Sequence, residues 1–558
     1  MYRKKVSSFV RNVGLTMHSG ISPLKRIKAV TWNIAAINNN PFEYWITNKD
    51  EGYNKIMSQV SAYIDSPGIN DVLVKEIFTD KMFAELEESM TQAGWSGIVE
   101  TRKQWETDYS NRKVISQFIK DSLLGKKRLA SMPDRVTNTI STVTEGFIMR
   151  PSVINCYNAG DLSTLENWWS QWRQFIFEKE VTVKKRGVEK TVKVRDMISK
   201  IKRSKYPSIT EEEEQISIPL QTLCAAIFDA ILVNMMNTID NAAWQPLRED
   251  MCNKLNRRKN ERTIEILETA YGSANILFLQ EVASSFADVV KNKQLSSMYE
   301  IYSPSTMDGD RDQNSFILLK KGQFRDVIEI TTEVLRELDT SKEVPIANGD
   351  LIALTATDFT DGVKYIFASF HGDTNGLATI PIVNAMHKYA VMKRPDHKLL
   401  FGMDANTYDN PENDQQGMVE FAEHFTSLKF NSCYGQKPNR KNFTTFHART
   451  HLQPQLNKAV KLEDKDSKGD KNPKDFILFF DSDFTVLATG KDNTGERKYI
   501  ENMVFPTLSF PSDHGVTSTI LIEQPAATSD IISDSVENTD AIGQSENNGR
   551  KSFRTVDP

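Results

Sequence analysis

Hydrophobic and polar residues are spaced in three different ways along the chain, and these patterns divide it into three parts. A first strand is predicted at Ile27 to Ile34, where β-branched residues alternate before a polar loop, Asn38 to Asn40. From about residue 50 to 265, apolar residues recur at helical spacing, which predicts helices at Asp80 to Ala93, Leu165 to Phe177 and Glu249 to Ala270. We therefore expect the middle part to be mainly helical.

Beyond residue 275, short apolar runs of strand length recur and predict a sheet-rich α/β region. The runs lie at residues 276–279, 315–321, 351–356, 365–370, 398–403, 476–480 and 515–522. The most apolar stretch of the chain, Ile218 to Ile239, is long enough to span a bilayer. Because it carries Gln221, Asp229 and two asparagines, we interpret it as a buried helix.

Composition narrows the class of protein. The 558 residues carry a formal net charge of -5 and are 39% hydrophobic, which excludes a collagen-like chain, a disulfide scaffold and a wholly disordered chain. The length suits several domains or one domain with a large insertion. The four cysteines are widely spaced with no CxxC pair, so we expect reduced thiols in an intracellular protein rather than disulfides or zinc ligands.

The two ends of the chain differ in charge. Residues 1–25 form a basic arm within an acid-free stretch that extends to residue 42, and this arm resembles either an organellar transit peptide or a disordered segment. Both cytoplasmic and organellar locations therefore remain open. Residues 524–558 are rich in acids, Ser, Asn and Thr, and they predict a disordered tail. The charged segment at Lys461 to Lys474 is expected to be mobile.

Polar residues follow or precede the apolar runs consistently, where a strand delivers its last side chains to the rim of a sheet. Carboxylates and amides of this kind suit Mg²⁺ or Mn²⁺, and the absence of thiols with few histidines disfavours zinc. A phosphate ester is the natural substrate of such a site, because a divalent cation neutralises phosphoryl oxygens while imidazoles move protons. These residues are Asn33, Glu281, His371, Asp404, Asn406, Asp475, Asp513 and His514.

The residues around them form an ordered series of motifs: TWN (31–33), FLQE (278–281), SFH (369–371), GMDAN (402–406), KDFIL (474–478) and PSDHGV (511–516). This series resembles that of the endonuclease/exonuclease/phosphatase superfamily, whose members include deoxyribonuclease I. The resemblance implies an α/β fold, a four-layer sandwich of two mixed sheets with helices outside. It covers residues 26–45 and 270–523, so residues 46–269 form a mainly helical inserted region.

The resemblance also implies a role for each matching residue. The metal would be bound by Glu281 with the support of Asn33 and Asp513, and the cofactor would be Mg²⁺ or Mn²⁺. The reaction would be in-line attack of water on phosphorus without a covalent intermediate. Its catalytic residues would be His371 at the phosphate or leaving oxygen, Asp404 and Asn406 at the attacking water, and His514 oriented by Asp475.

Three features allow a second interpretation. Glu76, in the β-like run at residues 70–78, competes with Glu281 for the place of metal ligand, and we favour Glu281 because FLQE is the fuller match. The acidic loop at residues 308–312 lacks the glycine and glutamate of a calcium loop, so we expect a solvated turn. Trp168, Trp169 and Trp172 are close to one helix face, which favours core packing over base stacking.

Basic residues suggest where a substrate could bind. Residues 184–205 contain ten Lys/Arg against two acids and predict a hairpin that turns near Gly187. Such a surface either tracks a polyphosphate backbone or is merely solvated. The candidate substrate-binding residues are Lys184, Lys185 and Arg186 on the hairpin, with Lys437 and Arg440 near the cleft.

The motif neighbours do not identify a subfamily. In 5-phosphatases an arginine follows the aspartate that matches Asp475, but this chain has Phe476 there. GMDAN differs from the deadenylase motif, and KDFI differs from the motif of abasic-site enzymes. Our leading hypothesis is a Mg²⁺-dependent phosphodiesterase, a nuclease. The alternatives are a phosphatase or phospholipase C-like hydrolase of inositol phosphates or sphingolipids, and a catalytically silent binding module. The expected partners are the phosphate-ester substrate, possibly nucleic acid, and a protein bound by the inserted region.

Overall fold

The computed structural model of the protein describes residues 24–35, 39–185, 187–307 and 312–525. Most of the predicted basic arm, the predicted acidic tail beyond residue 525, Asn38, Arg186 and the acidic loop at 308–311 lie outside these ranges. Within them the strands are, in chain order, β1 (Arg26–Asn33), β2 (Thr139–Thr142), β3 (Gly146–Met149), β4 (Glu180–Lys185), β5 (Val188–Lys193), β6 (Ile276–Val282), β7 (Tyr299–Tyr302), β8 (Asn314–Lys320), β9 (Phe324–Glu329), β10 (Leu351–Asp358), β11 (Lys364–His371), β12 (His397–Asp404), β13 (Phe430–Ser432), β14 (Asp475–Phe480), β15 (Phe484–Asp492) and β16 (Val516–Glu523).

Helices make up the rest of the regular structure. They are α1 (Glu51–Asp65), α2 (Val74–Ile77), α3 (Asp80–Gln92), α4 (Ile98–Thr107), α5 (Ser122–Lys127), α6 (Ser131–Thr137), α7 (Leu165–Phe177), α8 (Glu211–Gln215), α9 (Ser217–Asp240), α10 (Trp244–Cys252), α11 (Lys259–Thr269), α12 (Phe286–Val290), α13 (Gln294–Met298), α14 (Thr331–Leu335), α15 (Thr379–Lys393), α16 (Met418–Ser427) and α17 (Lys465–Lys468). Two π-helical turns lie at Val114–Ile119 and Asn253–Arg257.

Two six-stranded mixed sheets pack face to face. The first has the strand order β15-β16-β1-β6-β8-β7, and the second has the order β13-β14-β12-β11-β10-β9. Only the central pairs β1–β6 and β11–β12 are parallel among the described pairings of these two sheets. Their inner faces share one apolar core, in which Phe278 of the first sheet packs with Phe367 and Leu400 of the second.

Helices cover the outer face of each sheet. Ile264 and Leu267 of α11 pack with Trp32 and Leu277 on the outside of the first sheet. On the outside of the second sheet, α14, α15 and α16 pack on β10, β11, β12 and β14. The result is the four-layer α/β sandwich that the motif series implied. The sequence placed the end of the inserted region at residue 269. Because α11 packs on this sandwich, the inserted region ends at Arg258 instead.

The inserted region is mainly helical, as predicted, and has its own core. Helices α1 to α7 and α10 share one core with α9, and this core also includes Ala448, Leu452 and Leu456 from the segment before β14. Of the described helices, α9 is long and apolar enough to cross a membrane, but 89% of its most apolar stretch is buried inside the protein. The buried-helix interpretation of this stretch is therefore confirmed, and so is core packing of the three tryptophans, which are all buried.

Several local predictions differ from the structure. The run around Glu76 is a short helix, α2, and not a strand. The helix expected at Glu249 to Ala270 is divided by the second π-helical turn into α10 and α11. The segment at 461–474, expected to be mobile, contains a helical turn and ends in the buried Lys474, whose charge is paired with Asp470. Paired charges can be buried where lone ones cannot, which a count of charges does not reveal.

The prediction of four reduced thiols is wrong for two of them. Cys156 and Cys252, 96 residues apart in sequence, are joined by a disulfide within the inserted region. Cys224 and Cys433 are free and buried. Sequence spacing could not indicate the pair, because the fold alone brings residues this far apart together.

Candidate active site

The strand register places the predicted polar residues side by side at one end of the sandwich. Asn33 ends β1 next to Gln280 of the parallel strand β6. In the second sheet, His371 lies opposite Asp404, and Asp404 lies opposite Asp475. Since the central pair in each sheet is parallel, its carboxyl ends meet at the same edge. The site therefore forms where the rims of the two sheets come together.

Asn33 links the two sheets through its side-chain amide. Its Nδ2 donates to Glu281 Oε1 at 3.2 Å and to Asp404 Oδ2 at 2.9 Å. Its Oδ1 accepts the backbone N–H of Ala35 at 2.9 Å, which fixes the amide in this orientation. In this arrangement Asn33 holds two carboxylates from different sheets, and its own oxygen faces away from them.

His371 faces the same two carboxylates. Its Nε2 lies 3.3 Å from Glu281 Oε1 and 3.7 Å from Asp404 Oδ2, and its ring is largely buried. The Nδ1 atom is buried and has no hydrogen-bond partner within the described structure. His371 is thus held at the carboxylates through Nε2 alone.

His514 and Asp475 form a buried pair on the other side of Asp404. His514 Nδ1 lies 2.9 Å from Asp475 Oδ2, and its Nε2 lies 3.7 Å from Asp404 Oδ2. The Thr444 hydroxyl donates to the same Asp475 oxygen at 2.5 Å. Burial alone would lower the pKa of His514, but the charges of Asp475 and Asp404 outweigh it and raise the pKa to about 10. The pair therefore favours a protonated His514 at neutral pH.

The backbone at the site adopts left-handed conformations that side chains rarely favour. Glu281 has φ +50°, Asn406 has φ +47°, and Ala35, two residues after Asn33, has φ +46°. Such conformations cost about 1–3 kcal/mol each for ordinary residues and are common at functional sites. The Asn406 N–H donates to Asp404 Oδ1 at 2.9 Å, so this turn also orients the Asp404 carboxylate.

Asp513 belongs to a neighbouring buried network. Its Oδ2 accepts the Tyr44 hydroxyl at 3.0 Å and lies 3.6 Å from His447 Nε2. The same His447 nitrogen lies 3.6 Å from Asp470 Oδ2, and Lys474 Nζ donates to Asp470 at 3.0 Å. Burial lowers the pKa of His447 to about 4, so this ring is neutral at pH 7. Asp513 is thus held by protein partners that the motifs did not predict.

The donor set fits a hard divalent cation. Asn33 Nδ2 donates to one oxygen of Glu281 and to one oxygen of Asp404, so the two carboxylates lie close together. Two carboxylates this close repel each other unless a cation lies nearby. Asp404, Asp475 and His514 also offer donor atoms within 4.8 Å of one another. Because Asp475 is already engaged by His514 and Thr444, Glu281 is the carboxylate that best fits a metal ligand, with Asp404 beside it.

The remaining predicted residues divide between the site and other surfaces. Glu76 lies in α2, where it accepts the N–H of Leu73 and caps its own helix. Arg440 is exposed and lies 3.5 Å from Asp409, in the loop that follows Asn406. Lys437 is exposed as well. Lys184 is exposed on the β4–β5 hairpin, and nothing in the described structure joins it to the cluster around Asp404.

Sequence reasoning missed His447, Asp470, Lys474 and Lys259. Lys259 opens α11 and is buried, and its ammonium donates to the backbone oxygen of Ala35. These residues lie in segments that predict loops or ordinary helix, so their burial was not visible in the pattern. The signal that remained was the charge density of DKNPKD at 470–475, which leads directly into the core strand β14.

Comparisons with known proteins give one matching family model and several similar solved structures. Residues 71–249 match a family model described as a domain of unknown function, DUF8234. The chain matches no curated protein. Among similar solved structures is the human Nocturnin catalytic domain with bound sulfate anion, with 14% identity, a TM-score of 0.33 and coverage of 49% of this chain and 89% of that one.

Two further structures are similar at the same level. D. rerio TDP2 complexed with single strand DNA product has 12% identity and a TM-score of 0.30, and covers 47% of this chain and 91% of that one. An endonuclease/exonuclease/phosphatase family protein from Bacteroides thetaiotaomicron has 12% identity and a TM-score of 0.31, with coverage of 50% and 91%. The fold assignment rests on the two sheets and the motif order of this chain. They resemble those of the endonuclease/exonuclease/phosphatase fold, and the residues that match DUF8234 lie between the first and second motifs.

Proposed function

We propose that this chain is a Mg²⁺-dependent phosphodiesterase that cleaves nucleic acid. The observation that carries the proposal is the cluster at Asp404, where one carboxylate oxygen lies within 3.7 Å of Asn33, His371 and His514. These partners come from both sheets, so the cluster exists only in the folded protein. Hard oxygen donors beside two imidazoles suit transfer of a phosphoryl group to water.

The residues divide the work as follows. Asp404, fixed by the amides of Asn33 and Asn406, orients the attacking water and accepts its proton as the new P–O bond forms. Protonated His514 donates through Nε2 to the phosphoryl oxygens, while Asp475 accepts its Nδ1–H and keeps the ring in the charged form. His371 delivers a proton to the leaving oxygen as the old P–O bond breaks. Glu281 would hold Mg²⁺, with Asp404 and Asp513 nearby, and the bound ion would supply positive charge to the phosphoryl oxygens.

Charge outside the cluster favours a polyanionic substrate. Exposed Arg440 lies 3.5 Å from Asp409, which is on the loop that follows Asn406, and Lys437 is exposed three residues before Arg440. A phosphate chain that leaves the cleft on this side would therefore meet cations. Lys184, Lys185 and Arg186 would contact a more distant part of the same substrate phosphate chain. Phosphate contacts of this kind make binding depend steeply on salt.

The test is a panel of substrates with Mg²⁺: single-stranded RNA, single-stranded and duplex DNA, an inositol polyphosphate and sphingomyelin vesicles. We expect cleavage of a nucleic acid that EDTA abolishes and that Asp404→Asn lowers at least 1,000-fold. Asp414→Asn, an exposed carboxylate on a nearby loop, is the matched control and should keep full activity.

The other outcomes each lead to a different conclusion. Turnover of the inositol polyphosphate or sphingomyelin alone would replace the nuclease with a phosphatase or a phospholipase C-like enzyme. Tight Mg²⁺-independent binding of nucleic acid without turnover would favour a binding module. Equal loss of activity in Asp404→Asn and Asp414→Asn would remove the Asp404 cluster as the site.

A further inference from the structure

A buried lysine lies at the junction between the inserted region and the catalytic sandwich. Lys259 is the first residue of α11 and follows the π-helical turn that ends the inserted region. It is 3% exposed, and no carboxylate among the described residues lies within ion-pair distance of its ammonium. Burial lowers its pKa to about 8, against the attraction of Asp513, Glu281 and Glu43. Burying an ammonium group without a direct ion pair costs free energy, so we expect this position to serve a structural or functional role.

The one hydrogen bond that the Lys259 ammonium makes within the described structure leads to the site. Its Nζ donates to the carbonyl oxygen of Ala35, whose left-handed φ of +46° is unfavourable for an alanine. The N–H of the same Ala35 donates to Asn33 Oδ1. Asn33 in turn holds Glu281 and Asp404 through its Nδ2.

We propose that Lys259 is a positioning residue that fixes the Asn33–Ala35 turn and thereby the two site carboxylates. The inference rests on the proposed function for its kinetic consequence, but the contact itself is independent of it. Because Lys259 directly follows the inserted region, the arrangement couples the exit of that region to the active site. A change in the π-helical turn at Asn253–Arg257 would move Lys259 and release the turn after Asn33.

Hydrogen exchange tests the contact without any substrate. In full-length Lys259→Met, we expect the peptide spanning Asn33–Ala35 to exchange at least tenfold faster than in the wild type. The Ala35 carbonyl is then no longer fixed, so the turn in which the Ala35 N–H donates to Asn33 opens more often. Lys259→Arg keeps a cationic donor and should restore protection to within threefold. Lys254→Met, an exposed lysine in the same π-helical turn, is the matched control and should leave this peptide unchanged.

Kinetics test the consequence. On the substrate selected by the panel, Lys259→Met should lower kcat at least tenfold and change KM less than threefold, and Lys259→Arg should recover most of kcat. If Lys259→Met does not fold, Lys259→Gln serves in both measurements. Unchanged exchange at Asn33–Ala35, or an unchanged kcat with faster exchange, would overturn the inference. If the wild type cleaves nothing, the proposed function fails and the exchange measurement alone decides the contact.

Discussion

Gly402, in the middle of β12, allows the two sheets to approach each other behind the active site. A Cβ atom at this position would lie 2.5 Å from the Cβ of Phe278, on the opposing sheet. Gly402 is two residues before Asp404, and Phe278 is three residues before Glu281. Gly402→Ala should therefore force apart the two strands that carry the site carboxylates.

The size of the effect follows from the contact. Carbon atoms in ordinary contact are about 3.5 Å apart, so the strands must separate by about 1 Å. The clash involves two Cβ atoms, which no change of rotamer can relieve. Overpacking of this kind costs about 1–3 kcal/mol. A 1 Å shift would also break the 2.9 Å hydrogen bond from Asn33 to Asp404, and misplacement on this scale lowers a rate about 100-fold.

Urea unfolding and steady-state kinetics measure the two effects on the same variant. Gly490→Ala is the matched control: its added Cβ would meet only the Ser518 hydroxyl, at 3.2 Å, and it should cost less than about 0.5 kcal/mol. The reasoning is refuted if Gly402→Ala matches Gly490→Ala in both stability and kcat. A loss of stability with full kcat would show that the site does not depend on how the sheets are spaced.

Three other measurements test separate parts of the structure. Asp229→Ala should lower the free energy of unfolding by about 3–5 kcal/mol in chemical denaturation, because the fully buried Arg150 then loses one of its ion-pair partners. A loss below about 1 kcal/mol would contradict this packing of α9. A thiol titration of the denatured, unreduced protein should count two reactive cysteines, and four after reduction, because of the Cys156–Cys252 disulfide; four before reduction would contradict it. Burial alone would lower the pKa of His514, but its acidic neighbours raise it to about 10, so its stabilising contribution is complete below about pH 6.5 and is lost as the pH rises towards 10. Metal-free Asp475→Asn should therefore lose less stability than the wild type between pH 6.5 and 10, and equal losses would contradict the pairing.

The sequence predicted the sandwich, and the strand ends at which the candidate site residues lie, because both depend on short-range patterns. Each run of apolar residues that forms a central strand was visible, and so was the polar residue at its end. Glu281 was favoured over Glu76 because FLQE is the fuller motif match, and the structure places Glu281 in β6 and Glu76 in the helix α2. The edge strands β7, β9, β13 and β15 were missed, since an edge strand is short or half exposed and its pattern is weak.

The parts that sequence could not predict depend on contacts between distant segments. His447 and Asp513 are 66 residues apart, and Lys259 and Ala35 are separated by the whole inserted region. Nothing local marks such residues as buried, because each lies in a polar segment. The end of the inserted region was misplaced for a similar reason: α11 follows α10 almost without a break, and only its packing on the first sheet separates them.

The most direct test of the central claim is the Mg²⁺ dependence of nucleic acid cleavage by the wild type and by Asp404→Asn, measured on one labelled oligonucleotide. We expect a wild-type rate that rises with Mg²⁺ to saturation and vanishes in EDTA. The rate of Asp404→Asn should be at least 1,000-fold lower at every Mg²⁺ concentration. Cleavage that persists in EDTA, or an Asp404→Asn variant as active as the wild type, would contradict the claim that this cluster is a metal-dependent phosphodiesterase site.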